Sequence, residues 1–275
     1  MNMHKRLLAQ ITAALLANPF WSNFISGQLY QGKLKGLCVP FLNCYSCPGA
    51  VGSCPLGALQ NLLAAPYTRF PFYVFGVMIL AGGLAGRWVC GWLCPFGLVQ
   101  ELMGRLSRIK KSIPRWLGGA KYLVLVLLVV LPVLWVDSRG FGSPYFCQYL
   151  CPQGTLTAGI PLVAADTASY LPLIGWLFWI KVLILAAFLL GSIFIFRPFC
   201  RTLCPLGAFY GLFNRFSLFR LHHEPSTCHY CRKCTRSCPL NLQLPDERNS
   251  RECIRCLNCR DACPTGSLPF HAIDG

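Results

Sequence analysis

Charged side chains are scarce in this sequence, and acidic ones are the scarcest. Only 12% of the 275 residues are charged, 25 of them basic and 9 acidic, whereas 55% are hydrophobic. This composition is too apolar for a soluble domain of this size and favours a membrane protein. We attribute the net charge of +16 to the orientation of basic loops in a membrane and to a basic C-terminal segment, so nucleic acid is not expected as a partner.

The signatures of several enzyme classes are also missing. The sequence has no phosphate-binding loop, no dinucleotide fingerprint and no hydrolytic triad, so no catalytic residue is predicted. None of its five histidines falls in a long apolar stretch, which argues against a haem held by two histidines within a membrane. Those stretches offer almost no polar lining beyond Gln10, Asn18 and Lys181, which disfavours a transporter.

Cysteine, in contrast, is abundant, with 18 residues. Eight of them form two consecutive Cys-x2-Cys-x2-Cys-x3-Cys-Pro runs, the spacing of bacterial two-cluster ferredoxins, in which the fourth cysteine of each run binds the other cluster. Zinc knuckles, the alternative, need a longer gap between ligand pairs. We therefore predict two [4Fe–4S] clusters, one held by Cys228, Cys231, Cys234 and Cys263, the other by Cys253, Cys256, Cys259 and Cys238.

Four apolar stretches are long enough to cross a bilayer as helices, which requires ~20 residues. They run from Leu7 to Ile25, Phe70 to Gly86, Trp116 to Val136 and Leu171 to Phe196. We expect an all-α integral membrane protein with four transmembrane helices in two parallel repeats (1–110 and 111–221), followed by a small α+β two-cluster ferredoxin-like domain (222–275). The distribution of basic residues predicts that both termini face the cytoplasm.

Among the other ten cysteines, four begin a repeated motif, Cys-Pro-x-Gly. Proline is favoured at the first position of a helix, so each of these cysteines is predicted at a helix N-cap, where free N–H groups favour a thiolate. Two of the motifs lie on the predicted cytoplasmic side and have a second cysteine four residues earlier. A third [4Fe–4S] cluster could be held there by Cys90, Cys94, Cys200 and Cys204; buried free thiols and iron-free dithiols are the alternatives.

The outer face is predicted to carry the remaining six cysteines, Cys38, Cys44, Cys47, Cys54, Cys147 and Cys151. In an oxidising periplasm these could form disulfides. The similarity to the inner motifs instead favours a fourth [4Fe–4S] cluster, for which the predicted ligands are Cys47, Cys54, Cys147 and Cys151. We expect Lys181 to extend toward the outer interface rather than to contact a quinone or a cluster.

The most specific membrane motifs are Cys90-Gly91-Trp92-Leu93-Cys94-Pro95 and Cys200-Arg201-Thr202-Leu203-Cys204-Pro205. Together with the ferredoxin-like tail, they resemble the NapH-type membrane component of quinol dehydrogenases. The resemblance implies an electron-transfer subunit in the inner membrane of a bacterium or archaeon. It would exchange electrons between the quinone pool and another redox protein or catalytic subunit. The alternative is a cluster-dependent reductase, maturation or regulatory factor for a metalloenzyme, which predicts metal binding by Cys38, Cys44 and Cys47.

Overall fold

The computed structural model describes residues 2–64, 71–107, 111–134, 143–166 and 174–272, together with 109 and 172. Helices dominate this part of the chain. The longer ones are Asn2–Ala17, Pro55–Ala64, Phe72–Ala85, Pro95–Gly104, Trp176–Phe194 and Pro205–Phe213. Short α-helices are Ser22–Ser26, Trp88–Trp92, Ala120–Val124, Leu131–Leu134, Pro152–Gly154, Ile160–Ala165, Pro198–Thr202, Lys233–Arg236 and Asn258–Asp261.

Tighter and wider helical turns complete these elements. The 3-10 turns are Lys33–Gly36, Arg115–Gly119 and Pro225–Thr227, and the π-helical segments are Leu125–Val130, Phe146–Leu150 and Thr155–Gly159. The strands form two small sheets. Leu37–Cys38 pairs in parallel with Gly52–Ser53, and Phe219–Leu221 pairs antiparallel with Phe270–Ala272.

The prediction of four transmembrane helices is wrong. Among the described residues, one helix, Trp176–Phe194, is long and apolar enough to cross a membrane by its length and composition. The first apolar stretch ends as a helix at Ala17, and the second forms a helix of only 14 residues, Phe72–Ala85. The third divides into short α, 3-10 and π segments between Arg115 and Leu134. Residues 70, 135, 136, 171 and 173 of these stretches lie outside the described part.

Helix-ending residues account for the difference. Asn18 and Pro19 follow the first helix, and Gly86 adopts a left-handed φ of 53° directly after the second. Hydropathy measures how apolar a run is but not whether its backbone continues as one helix. Many of the apolar residues instead build a protein core that also contains Cys54, Cys90, Cys94, Cys151, Cys200 and Cys204.

The cysteine that precedes each proline lies where the sequence predicts it. Cys94, Cys151 and Cys204 are N-cap residues with extended backbones, and the following proline begins a helix. Cys54 precedes Pro55–Ala64 in the same way, and its carbonyl accepts the N–H of Ala58 at 2.9 Å. The N-cap prediction is therefore confirmed, and the motif directs four sulfurs toward helix N-termini.

The tail repeats its backbone conformation as well as its cysteine spacing. Left-handed residues occur in three pairs 25 residues apart, the same offset that relates Cys228 to Cys253: Tyr230 and Arg255, Arg232 and Leu257, Asn241 and Gly266. Five of these six are not glycine, and such residues adopt this conformation only where the surroundings enforce it. Each cysteine run therefore coils in the same way.

Strand Phe219–Leu221 begins before residue 222, so the small antiparallel sheet extends beyond the predicted tail boundary.

The tail packs directly against the segment that carries Cys90 and Cys94. Asn214 donates to the carbonyls of Ser250 and Cys253 at 2.8 and 2.6 Å, and Trp92 Nε1 donates to the carbonyl of Arg255 at 3.0 Å. A Cβ added at Gly91 would overlap the carbonyl oxygen of Ile254. The missing side chain at Gly91 is therefore what lets the two backbones approach.

Replacing Gly91 with alanine should loosen this junction. The new methyl group would meet a backbone oxygen rather than a flexible side chain, so we expect a cost of roughly 1–3 kcal/mol. Amide hydrogen exchange should accelerate about tenfold at residues 250–256. Gly76→Ala is the matched control, because a Cβ there has no atom within 4 Å. Equal exchange in the two variants would contradict this account of the junction.

Candidate iron–sulfur sites

The inner cysteine set lies in the core of the helical part. Cys90, Cys94, Cys200 and Cys204 are each at most 8% exposed, and they come from two short helices and the N-caps of the helices that follow them. Burial raises the pKa of the Cys90 and Cys204 thiols and raises that of Cys94 to about 12. These thiols therefore need a bound metal group or nearby positive charge to ionise.

Two buried arginines provide that positive charge, and they do so reciprocally. Arg87 precedes the first cysteine pair but donates through Nη2 to the carbonyl of Cys200, at 2.9 Å. Arg197 precedes the second pair but donates to the carbonyls of Cys90 and Gly91, the latter at 3.2 Å. Each half of the inner site is therefore held by the arginine of the other half. We call this arrangement the arginine exchange.

Both arginines remain charged despite being almost completely buried. Burial alone would lower the pKa of Arg87, but Glu252 and the surrounding sulfurs reverse the effect and raise it. The pKa of Arg197 is raised in the same way, against the effect of burial. Its main anionic partner is Glu101, whose Oε1 lies 2.9 Å from Arg197 Nη2. Gln100 adds a neutral contact, since its Nε2 donates to the Cys200 sulfur at 3.1 Å. The site thus combines four thiols, two cations and one amide donor.

The distribution of basic residues predicts only how the chain is oriented in a membrane. It does not identify the contacts that these two arginines make. The signal is nevertheless present in the sequence. Arg87 and Arg197 each lie three residues before the first cysteine of a Cys-x3-Cys-Pro motif. Two basic residues at the same position of a duplicated motif indicate a shared contact rather than a solvated loop.

The tail cysteines lie in the two predicted groups. A cavity of about 310 Å³ is lined by Cys228, Cys231, Cys234 and Cys263. A second, much tighter space is lined by Cys238, Cys253, Cys256 and Cys259, with Arg255 beside them. Within the described part of the chain, no three ligating side chains converge closely enough to hold a single metal ion. Four sulfurs around a space suit a polynuclear iron–sulfur group better than zinc.

The two tail groups differ in exposure. Cys231 is exposed, and Cys228, Cys234 and Cys263 are partly exposed, whereas all four sulfurs of the tighter group are buried. Partial burial would raise the pKa of Cys263, but hydrogen bonds with Ser267 and Thr265 lower it to about 7. One group therefore reaches the protein surface and the other faces the helical part.

Direct contacts connect the tighter tail group to the inner set. Arg87 also donates through Nη1 to the carbonyl of Arg251 at 2.9 Å, so one side chain binds backbone next to both groups. Arg201 follows Cys200 and donates to the carbonyl of Leu240 at 3.4 Å, close to Cys238. Together with the Gly91 approach, these contacts pack the backbone around the tighter tail group directly against the backbone around the inner set.

A third cavity, which we call the outer cavity, is bounded by the remaining cysteine motifs. It measures about 550 Å³ and is lined by four thiols, those of Cys44, Cys54, Cys147 and Cys151, and by Lys181. Cys47, which the sequence favoured over Cys44, does not line it; its sulfur lies 3.4 Å from Asn18 Oδ1 and is fully buried. Cys38 is paired in a strand with Ser53.

Lys181 does not extend away from the cysteines. Its Nζ donates to the carbonyl of Cys147 at 3.3 Å, which places the ammonium group at the cavity wall. Tyr210 lies between this cavity and the inner set: it is fully buried, it interacts electrostatically with Cys54 and Cys90, and its hydroxyl donates to the carbonyl of Pro40 at 2.8 Å. The cysteine groups therefore follow one another through the molecule.

Successive groups of four thiols define an iron–sulfur electron carrier, and comparison with known families agrees. Residues 70–114, 121–162 and 171–222 match a 4Fe-4S binding domain, and residues 220–264 match a 4Fe-4S dicluster domain. The chain belongs to the NapH-type, polyferredoxin-like family of 4Fe-4S proteins. It binds iron–sulfur clusters and functions in electron transfer.

Relatives match over most of the chain. An uncharacterized protein of Methanocaldococcus jannaschii is 33% identical over 205 residues, 70% of this chain and 76% of the relative. The ferredoxin-type protein NapH of Haemophilus influenzae is 25% identical over 96% of this chain and 88% of the relative. The regulatory protein NosR of Pseudomonas aeruginosa is 31% identical over 66% of this chain, which corresponds to 25% of NosR. No solved structure matches the chain.

The arginine exchange predicts that the two arginines have equivalent effects. Arg87→Gln and Arg197→Gln each leave buried carbonyls without a charged donor, so we expect each to lower the free energy of unfolding by about 3 kcal/mol. The measurement is denaturant unfolding of the detergent-solubilised protein. Arg115→Gln is the control: its side chain is 76% exposed, and its ion pair with Glu247 should contribute less than about 1 kcal/mol. A loss for only one buried arginine would contradict the reciprocal role.

Proposed function

We propose that this protein relays electrons between the quinone pool of a membrane and a soluble redox partner. The observation that carries the proposal is the direct contact between the segments that hold the inner cysteine set and the tail. Arg87 donates to the carbonyls of Cys200 and Arg251, and Gly91 lies against the backbone of Ile254. Electrons cross short protein-filled gaps between such groups, and no further cofactor is required between them.

The inner set fits a third [4Fe–4S] cluster, beyond the two proposed in the tail. Cys90, Cys94, Cys200 and Cys204 supply four thiols from equivalent positions in the two motifs. Arg87, Arg197 and the helix N-termini offset the negative charge of thiolates in a core that excludes water. When bound, the cluster would supply a one-electron redox centre whose potential depends on these charges and hydrogen bonds.

The helix Trp176–Phe194 supports a location in or at the membrane. It has 19 residues, and several of its large apolar side chains are exposed: Trp176, Trp179, Leu183 and Leu190 are each at least 60% exposed. A soluble core helix would bury such residues. A quinol approaching from the lipid would be oxidised to the quinone, its two electrons passing one at a time to the relay and its two protons being released to water. The proposal does not include several membrane crossings, because that expectation depended on four transmembrane helices.

The exposed tail group is the natural place for a soluble partner. Cys231 and Tyr230 are exposed, and Arg232 and Lys233 extend from the same turn. A basic rim attracts a partner with an acidic surface and speeds the encounter. A redox protein with such a surface would exchange electrons with the group of Cys228, Cys231, Cys234 and Cys263.

A regulatory or maturation role is the second candidate, and the similarity to NosR, named a regulatory protein, favours it. That role predicts metal binding by Cys38, Cys44 and Cys47. These three cysteines lie in different surroundings: a strand pair, the outer cavity and a contact with Asn18. Isothermal titration of the cluster-loaded protein with Cu(I) distinguishes the candidates, because the relay has no need of such binding.

The relay predicts that quinol reduces the tail clusters through the inner set. The test is anaerobic mixing of the full chain with a short-chain quinol while the reduced-cluster signal is followed by electron paramagnetic resonance. We expect the Cys94→Ser, Cys204→Ser double variant to lose about four irons per chain and to slow quinol-driven reduction at least tenfold. Dithionite should still reduce its tail clusters.

The control for this experiment is Cys38→Ser, a buried thiol outside every group of four. It should retain both its iron and its quinol-driven reduction. The relay is contradicted if the double variant reduces its tail clusters with quinol at the unaltered rate. A full iron content in the double variant would instead exclude the inner cluster.

A further inference from the structure

The outer cavity has no role in the relay from the inner set to the tail, yet its construction is that of a binding site. Its four thiols come from three separate parts of the chain, around Cys44, Cys54 and Cys147 to Cys151. Cys54 and Cys151 precede the helices Pro55–Ala64 and Pro152–Gly154, in the same relation as Cys94 and Cys204 in the inner set. The outer cavity thus repeats the design of the inner site.

The backbone around the cavity leaves room for a group bound between the sulfurs. Gly154 is so close that a Cβ there would lie 3.5 Å from the Cys44 sulfur and 3.9 Å from that of Cys151. A Cβ at Gly57 would lie 3.8 Å from the Cys147 sulfur. In these two motifs the glycine therefore borders sulfurs of the cavity, and Gly57 also borders the ring of Tyr45, which would lie 3.1 Å from an added Cβ.

The neighbours of Cys44 and Cys47 explain which of the two faces the cavity. Cys47 is fully buried with its sulfur 3.4 Å from Asn18 Oδ1, and it does not line the cavity although it lies within electrostatic range of Cys44. Cys44 lines the cavity and lies within electrostatic range of Cys147, Cys151 and Lys181. Lys181 is held at the wall by the carbonyl of Cys147 and supplies the positive charge that Arg87 and Arg197 supply at the inner set.

We propose that Cys44, Cys54, Cys147 and Cys151 hold a further [4Fe–4S] cluster, with Lys181 as the residue that sets its charge environment. The described side chains do not converge on a single metal ion, and the cavity is larger than the 310 Å³ space between the exposed tail cysteines. A polynuclear group fits this arrangement. The proposal extends the relay to the far side of Tyr210, but the site binds iron whether or not quinol is the electron donor.

The test compares two cysteines three residues apart in the full chain, purified without oxygen. Cys44→Ser should lose about four irons per chain, while the resonance signals of the tail clusters stay unchanged and report that the fold is intact. Cys47→Ser, the matched control, should retain all its iron. Loss of iron in Cys47→Ser, with or without loss in Cys44→Ser, overturns the ligand set, and full iron in both variants overturns the site.

A second arm addresses disulfides and the lysine. Mass spectrometry of the alkylated, unreduced protein should find Cys44, Cys54, Cys147 and Cys151 as thiols once the iron is removed; a disulfide among them overturns the proposal. Lys181→Gln should keep its iron and lower the midpoint potential of one cluster, because an ammonium group stabilises the reduced, more negative form. Unchanged potentials for every cluster would remove Lys181 from the site. All of these readouts are independent of quinol activity, so the relay and this site can fail separately.

Discussion

A thiol buried in an apolar core resists ionisation, and a metal cluster requires thiolates. Twelve of the 18 cysteines are buried, and burial raises the pKa of Cys54 and Cys253 to about 12. Each cysteine group that lies in the interior has a cation next to it. Arg87 and Arg197 lie beside the inner set, Lys181 beside the outer cavity and Arg255 beside the tighter tail group. The positions of these four residues determine much of how the surrounding segments pack.

Arg255 shows how the same cations also connect the parts of the molecule. It adopts a left-handed conformation, is fully buried, and donates to the carbonyls of Ala85 and Asn214 at 2.9 and 2.6 Å. Burial lowers its pKa to about 10, with Cys253 acting in the opposite direction. The residue thus contributes charge to a tail group while fastening the tail to the helical part. The charge beside the tail cysteines and the contacts that attach the tail to the helical part therefore come from the same side chain.

Local patterns predicted local structure well. The Cys-Pro step identified the N-caps of Cys94, Cys151 and Cys204, because a proline constraint acts within one turn. Hydropathy failed over longer distances: the run from Leu7 to Ile25 is largely apolar, but its first helix ends at Ala17, just before Asn18-Pro19. The choice between Cys44 and Cys47 could not be made from spacing, since both precede Cys54 in one loop and only packing against Asn18 separates them. Long-range contacts such as those of Arg87 have no local signature beyond their repeated position.

The arginine exchange has a consequence for how the protein is made. The ribosome completes the segment with Cys90 and Cys94 more than a hundred residues before Arg197 and Cys200. Until then the first pair lacks both its opposing thiols and the cation that binds its backbone. Iron inserted before the second motif is made would meet half of the proposed site. On the proposal that the inner set holds a cluster, loading therefore follows synthesis of the second motif, and the eight cysteines that precede Cys200 are already in the chain by then.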